Sequence, residues 1–225
     1  MASEDGPLPY WLVNVPRDQW PSSCPDFLVN CNAKDRGILS TPDAAYHRHT
    51  WAEVKEIIRT NRIDLFQRVP SDLRRYLAYT AHLRATHGSI LTFVLRERLQ
   101  WTDLTPRSPV AFADPDDIKI LHNDWPYGID PAIVHLVVWT RFALADDPAT
   151  GDLTARARAA VDAFVTKTFC GASVSPENVI WFKNWRSLKS VHAVEHFHVM
   201  LYDPDPRFVE DITGGDVPLS QKVMR

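Results

Sequence analysis

The strongest constraint on folding lies in residues 115–203, where short alternating or β-branched runs replace helical spacing. DIKILHND (117–124), AIVHLVVWTRF (132–142), ENVIWFKN (177–184) and EHFHVMLYD (195–203) each read as a strand. Between the second and third, DLTARARAAVDAFVTKTFCG (152–171) carries a helical pattern that Gly171 stops. The order strand, strand, helix, strand, strand predicts an antiparallel sheet with one crossover helix. WRSLKSVHAV, before the last strand, has room for a turn or one short helix.

Upstream the pattern differs. Prolines at 7, 9, 16, 21, 25 and 42 forbid long helices in residues 1–45, yet Trp11, Trp20, Phe27 and Leu28 are too apolar for a disordered tail. An ordered, irregular arm is expected. Residues 46–105 then read as helices: Thr50 with Glu53 forms a capping box, Pro70 precedes a second helix with Ser71 as its N-cap and Gly88 as its stop, and SILTFVLRERLQW continues to about Trp101. Residues 204–225 carry Pro and Gly and read as an irregular tail. The expected fold class is α+β, one domain over residues 1–225.

Composition removes several functions. A formal charge of −3 gives no general attraction to nucleic acid or to an anionic membrane, and no run approaches a membrane span. Cys24, Cys31 and Cys170 read as reduced thiols without a metal or disulfide, so a cytoplasmic protein is expected. A Gly-rich phosphate loop, a Gly-x-Ser-x-Gly elbow and a zinc finger are absent from the sequence.

The last strand poses the functional question. His196 and His198 are two apart and so share one face. The bland reading is a strand whose polar face meets solvent; the sharper one is a nucleophile with its assistant, or a metal pair. His135 and His122 could extend a metal site, but Glu195 falls on the opposite face from His196, and no second ligand motif stands at a diagnostic spacing. No metal and no cofactor are therefore expected. Asn184 either ends its strand, or hydrogen-bonds a phosphate oxygen or fixes the nucleophile's ring. Lys183, Arg186 and Lys189 read as a solvated face or as phosphate-neutralising cations. Asn123, Asp124, Trp125 and Tyr127 lie in one loop, HNDWPYGIDP, that suits a base or sugar, or an aromatic corner. His47 and His49 read as surface residues.

The strand order, together with His196-Phe-His198, resembles the core of the histidine-triad superfamily over roughly residues 115–203. Further points of likeness are a strand beginning at His135, Asn184 closing the third strand, and the pair Ser190-Val191. Met200 departs from the pattern, standing where that superfamily has His or Gln. The resemblance implies nucleotide binding and cleavage or exchange at an α-phosphate. His198 would then be the nucleophile that forms a nucleotidyl-histidine, with His196 supporting it and Asn184 and His135 beside the substrate. Over nearly the whole chain, CPDFLVN, NRIDLFQRVPSDLRRYL, NDWPYG, HLVVW, WFKNW and HFHVMLYD resemble the fungal N-acetylglucosamine-induced protein family, of DUF3605 type, which implies little chemistry. Three functions stay open: a phosphoester transferase or hydrolase acting on a nucleotide or sugar nucleotide, a non-catalytic sensor of an amino-sugar or nucleotide metabolite, and a His-ligated metal enzyme. The oligomeric state does not follow from sequence.

Overall fold

The computed structural model describes residues 7–171, 173–185, 191 and 193–223. Arg186, Lys189 and Ser190 lie outside the described residues, as does most of WRSLKSVHAV. The N-terminal arm is ordered in short pieces, α1 (Asp26–Val29) and α2 (Ala33–Leu39). Asn32 caps α2 by accepting from the Asp35 N–H. Leu28, Ile38 and Leu39 bury themselves with Leu73.

The helical segment follows its sequence signals. α3 (Trp51–Arg59) opens on the capping box: Thr50 Oγ1 accepts from the Glu53 N–H, and the Glu53 carboxylate accepts from the Thr50 N–H at 2.7 Å. Such a cap stabilises a helix by about 1 kcal/mol. Trp51, Val54 and Ile57 form its buried face. α4 (Pro70–His87) is capped at Val69 and not at Ser71, because Pro70 itself fits the first helical position; it stops where Gly88 turns to φ 74°, a conformation that favours glycine. α5 (Ile90–Phe93) runs into a wider π-type turn over Val94–Leu99, closed by Gln100 in the left-handed region.

The four strands described are β1 (Ile118–His122), β2 (Ile133–Thr140), β3 (Val179–Phe182) and β4 (Glu195–Tyr202), with α6 (Ala155–Phe169) between β2 and β3. They form one antiparallel sheet in the order β1-β2-β4-β3. The protein is α+β with a crossover helix, as the sequence pattern predicts. The period of two then separates the faces. Leu136, Val138, Phe197, Val199 and Leu201 pack against Val161, Val165 and Phe169 of α6. Full burial of such side chains contributes roughly 1.5–3 kcal/mol each. The other face carries His135, Val137 and Trp139 from β2 and His196, His198 and Met200 from β4. At one end Trp51, Val54 and Ile57 of α3 cover it; at the other, Leu83 of α4 and Phe93 of α5 belong to the cluster that covers it.

The tail reading is corrected. Residues after 204 form α7 (Pro206–Thr213), capped by Asp205 and ended by left-handed Gly214, and α8 (Leu219–Lys222). Phe208, Val209 and Ile212 of α7 pack into the α6 side of the core. Pro and Gly mark the two ends of α7 rather than an absence of structure.

Candidate functional site

Between the histidine face of the sheet and α4 lies a cavity of about 170 Å³, lined among others by His196, His198, Asn184, Tyr127, Trp139 and Tyr79. His196 and His198 are 4% and 6% exposed, so they are buried at a cavity wall and not on an open sheet face. Backbone pairing sets this arrangement: Trp139 stands opposite His196, Val137 opposite His198, and Phe182 opposite His198 on the other side.

The polar side chains form a row. Asn123 Nδ2 lies 3.2 Å from His135 Nε2, His135 Nε2 lies 3.0 Å from His198 Nδ1, and His198 Nε2 lies 3.0 Å from Asn184 Nδ2. An amide N–H can only donate, so His198 Nε2 accepts, and the proton of its neutral ring sits on Nδ1 facing His135. Phe182 stacks on the His198 ring at 4.9 Å. His196 is held differently. Its Nδ1 is 2.9 Å from the Val194 carbonyl, which can only accept, and Trp139 lies against the ring at 4.5 Å. Asn184 is 7% exposed, and its Oδ1 has no hydrogen-bond partner among the described residues. A buried acceptor left unmatched costs about 1–3 kcal/mol, which a donor on a ligand would relieve.

A second polar group anchors the far wall. Arg98, from the π-type turn, donates to both oxygens of Asp216 at 2.7 and 2.8 Å, and its Nε donates to Asp124 at 2.9 Å. Asp124 also accepts from the Leu219 N–H and Asp216 from the His122 N–H. Burial pushes the Asp216 carboxyl up, but the Arg98 hydrogen bond outweighs it and holds Asp216 below the usual range. For Asp124 burial wins and the pKa is raised. Both carboxylates meet Arg98 through both oxygens, since Asp124 Oδ1 also lies 2.8 Å from Nη2.

Residues 50–202 match the family model described as a protein of unknown function, DUF3605. The chain belongs to the DUF3605 family. N-acetylglucosamine-induced protein 1 of Candida albicans is 28% identical to it over 185 residues, 74% of this chain and 73% of the relative. The uncharacterized protein YPL067C of Saccharomyces cerevisiae is 28% identical over 163 residues, 70% of this chain and 81% of the relative. The crystal structure of HTC1 superposes with a TM-score of 0.57 at 25% identity, covering 76% of this chain and 98% of that one.

In this DUF3605 chain the fold brings together most, but not all, of the residues singled out from sequence. His196, His198, Asn184, Asn123, Asp124, Trp125 and Tyr127 line the cavity. His135 sits one step behind His198, away from the wall. Lys183 is paired with Asp146 at 2.7 Å and Glu195 at 3.2 Å: it follows Phe182, whose side chain meets His198, and so turns the opposite way. Arg186 lies outside the described residues. Sequence reading passed over Trp139, which shares the parity of His135 on β2, and Tyr79, Arg68 and Arg98, for which no local pattern signals proximity to the sheet. His47, His49 and Glu53 are the one metal-capable trio found among the described residues. His47 and Glu53 are exposed and His49 is half-buried, none of them lining the cavity, and the Glu53 carboxylate already accepts from Thr50 and meets His47 at 2.9 Å. No helix among the described residues is long and apolar enough to cross a membrane.

The DUF3605 site makes stability depend on pH. Burial, and then the positive charge of Arg68, push the His135 pKa down from its ordinary value to about 3. The unfolded chain therefore gains a proton near pH 6.5 that the folded chain refuses. Stability is expected to be flat above that pH and to fall below it by up to about 1.4 kcal/mol per pH unit. Burial lowers the His122 pKa too, which adds the same sign. Urea midpoints measured between pH 7.5 and 5 should show the decline, and His135→Gln should make it shallower. An unchanged slope in that variant would remove His135 as its source.

Proposed function

We propose that this chain is a phosphoester transferase or hydrolase acting on a nucleotide or sugar nucleotide through a nucleotidyl-histidine. The observation that supports it most is the His196 Nδ1–H···O=C bond to Val194 at the wall of the cavity. With Nδ1 protonated, the neutral ring carries its lone pair on Nε2, which is the nucleophilic form. Attack on the α-phosphorus forms a P–N bond as the P–O bond to the leaving group breaks. The electron pair departs on the leaving oxygen, which takes a proton from solvent. Water, giving up a proton, or a second acceptor then displaces the histidine and restores the neutral ring. While the adduct lasts the ring keeps its Nδ1 proton and is cationic, and the Val194 carbonyl stabilises that charge.

This exchanges the roles that the histidine-triad resemblance implies for the two histidines. His198 is held on both sides of its ring, by His135 and Asn184, which fixes its orientation beside the cavity. It suits a supporting role beside the phosphate. Size also bears on the substrate. A cavity of about 150 Å³ holds a benzene ring, so about 170 Å³ takes one ring or one phosphate group and leaves the rest of a nucleotide at the mouth.

One observation favours the sensor reading: His135, His198 and Asn184 are tied to one another, and Met200, where a third His or Gln would stand, is fully buried in an apolar cluster. Incubation of the wild-type protein with nucleoside diphosphate sugars, followed for release of nucleoside monophosphate, separates the two. Turnover is expected. Binding with no turnover across the set would favour a sensor, and neither binding nor turnover would defeat both.

A further inference from the structure

We infer that Arg68 is the anion-binding residue of this cavity, so that its ligand carries a phosphate-type negative charge between Arg68 and the histidine row. The inference rests on the cavity being the ligand site proposed above, and it names the charge that site selects. The cations near the sheet differ in how far they are already neutralised. Arg98 is bonded to Asp124 and Asp216, and Lys183 to Asp146 and Glu195. Arg75 is bonded to Asp72 and to the Ser220 carbonyl. Arg68 lines the cavity and has no acidic partner among the described residues.

Its placement is nevertheless fixed. The guanidinium lies 4.0 Å from the centre of the Tyr76 ring and 5.7 Å from that of Tyr127, and Nε donates to the Trp125 carbonyl at 3.0 Å. That geometry pins one edge of a planar fork while its two terminal nitrogens remain to be accounted for. Tyr127 links Arg68 to the reactive end: its ring is 5.3 Å from His135 and 6.5 Å from His198, and its hydroxyl meets Asn184 Nδ2 at 3.4 Å. A second, independent feature points to the same ligand. Asn184 Oδ1 is a buried acceptor that asks for a donor, as a sugar hydroxyl beside a phosphate supplies. An anion next to a hydroxyl is the chemistry of a sugar phosphate or of the ribose phosphate of a nucleotide.

The test is calorimetric titration of the full chain with inorganic phosphate, AMP and adenosine, comparing wild type with Arg68→Gln, Arg68→Lys and Lys183→Gln. Wild type should bind phosphate and AMP more tightly than adenosine. Arg68→Gln should weaken the two anions by roughly 10–100-fold, the size of a lost charge-assisted hydrogen bond, with Arg68→Lys in between and Lys183→Gln unchanged. Circular dichroism melts identify a variant that has simply unfolded, and Arg68→Lys then carries the comparison. Equal anion binding by wild type and a folded Arg68→Gln, or no anion binding by wild type, overturns the inference. Turnover assayed alongside keeps the two readings apart. Anion binding that depends on Arg68 without turnover defeats only the transferase, and turnover that ignores Arg68 defeats only the anion site.

Discussion

His196→Asn is expected to leave the protein folded and to remove its turnover altogether. The Asn amide can still donate to the Val194 carbonyl, which His196 Nδ1 meets at 2.9 Å, so the local backbone keeps its partner while the nucleophilic Nε2 is gone. His198→Gln should be milder in rate, a loss of about 10²–10⁴-fold if the residue only assists proton movement or orientation. It should cost more stability, because His198 bridges two buried groups. Steady-state rates and urea midpoints for both variants give the two orders. Complete loss at 198 with residual turnover at 196 would restore the roles that the histidine-triad resemblance implies.

The largest expected effect on stability is at Arg98. Replacing it with methionine keeps much of the side-chain volume but leaves Asp124 and Asp216 facing each other, with only Lys222, 3.9 Å from Asp216 and half-exposed, as a remaining cation. Breaking a buried pair in this way destabilises by about 3–5 kcal/mol. For a chain of this size that corresponds to a fall in melting temperature on the order of 10 °C. The effect should reach the C-terminal segment first, since Asp124 accepts from the Leu219 N–H and its carbonyl from the Ser220 N–H. Amide exchange at Leu219 and Ser220 should accelerate in Arg98→Met before global unfolding. A loss below about 1 kcal/mol, typical of an exposed pair, would show that the three groups do not clamp the wall.

The sheet was legible in the sequence because period-two patterns are local. DIKILHND, AIVHLVVWTRF, ENVIWFKN and EHFHVMLYD each contain the observed strand, with ends that differ by two residues at most. The same parity correctly put His196 and His198 on one face, and it already placed Trp139 with His135. Helices α7 and α8 were missed because they are short and because packing of Phe208, Val209 and Ile212 against the core, rather than propensity, holds α7 in place. Within the site, the choice of cation was not legible. Lys183 and Arg68 look alike in sequence, and what separates them is that Asp146 and Glu195 reach one while Tyr76 and Tyr127 flank the other. The roles of the two histidines were equally hidden, since they depend on which acceptor each ring nitrogen meets. Sequence spacing fixes the face of a side chain and leaves its tautomer open.

The most direct measurement is the intact mass of the protein, quenched under alkaline conditions during turnover of a nucleoside diphosphate sugar, because a P–N adduct is lost in acid. A mass increase of one nucleotidyl group is expected, mapped by fragmentation to His196 and absent from His196→Asn. Turnover with no adduct in wild type, or an adduct that persists in His196→Asn, would contradict a nucleophilic His196.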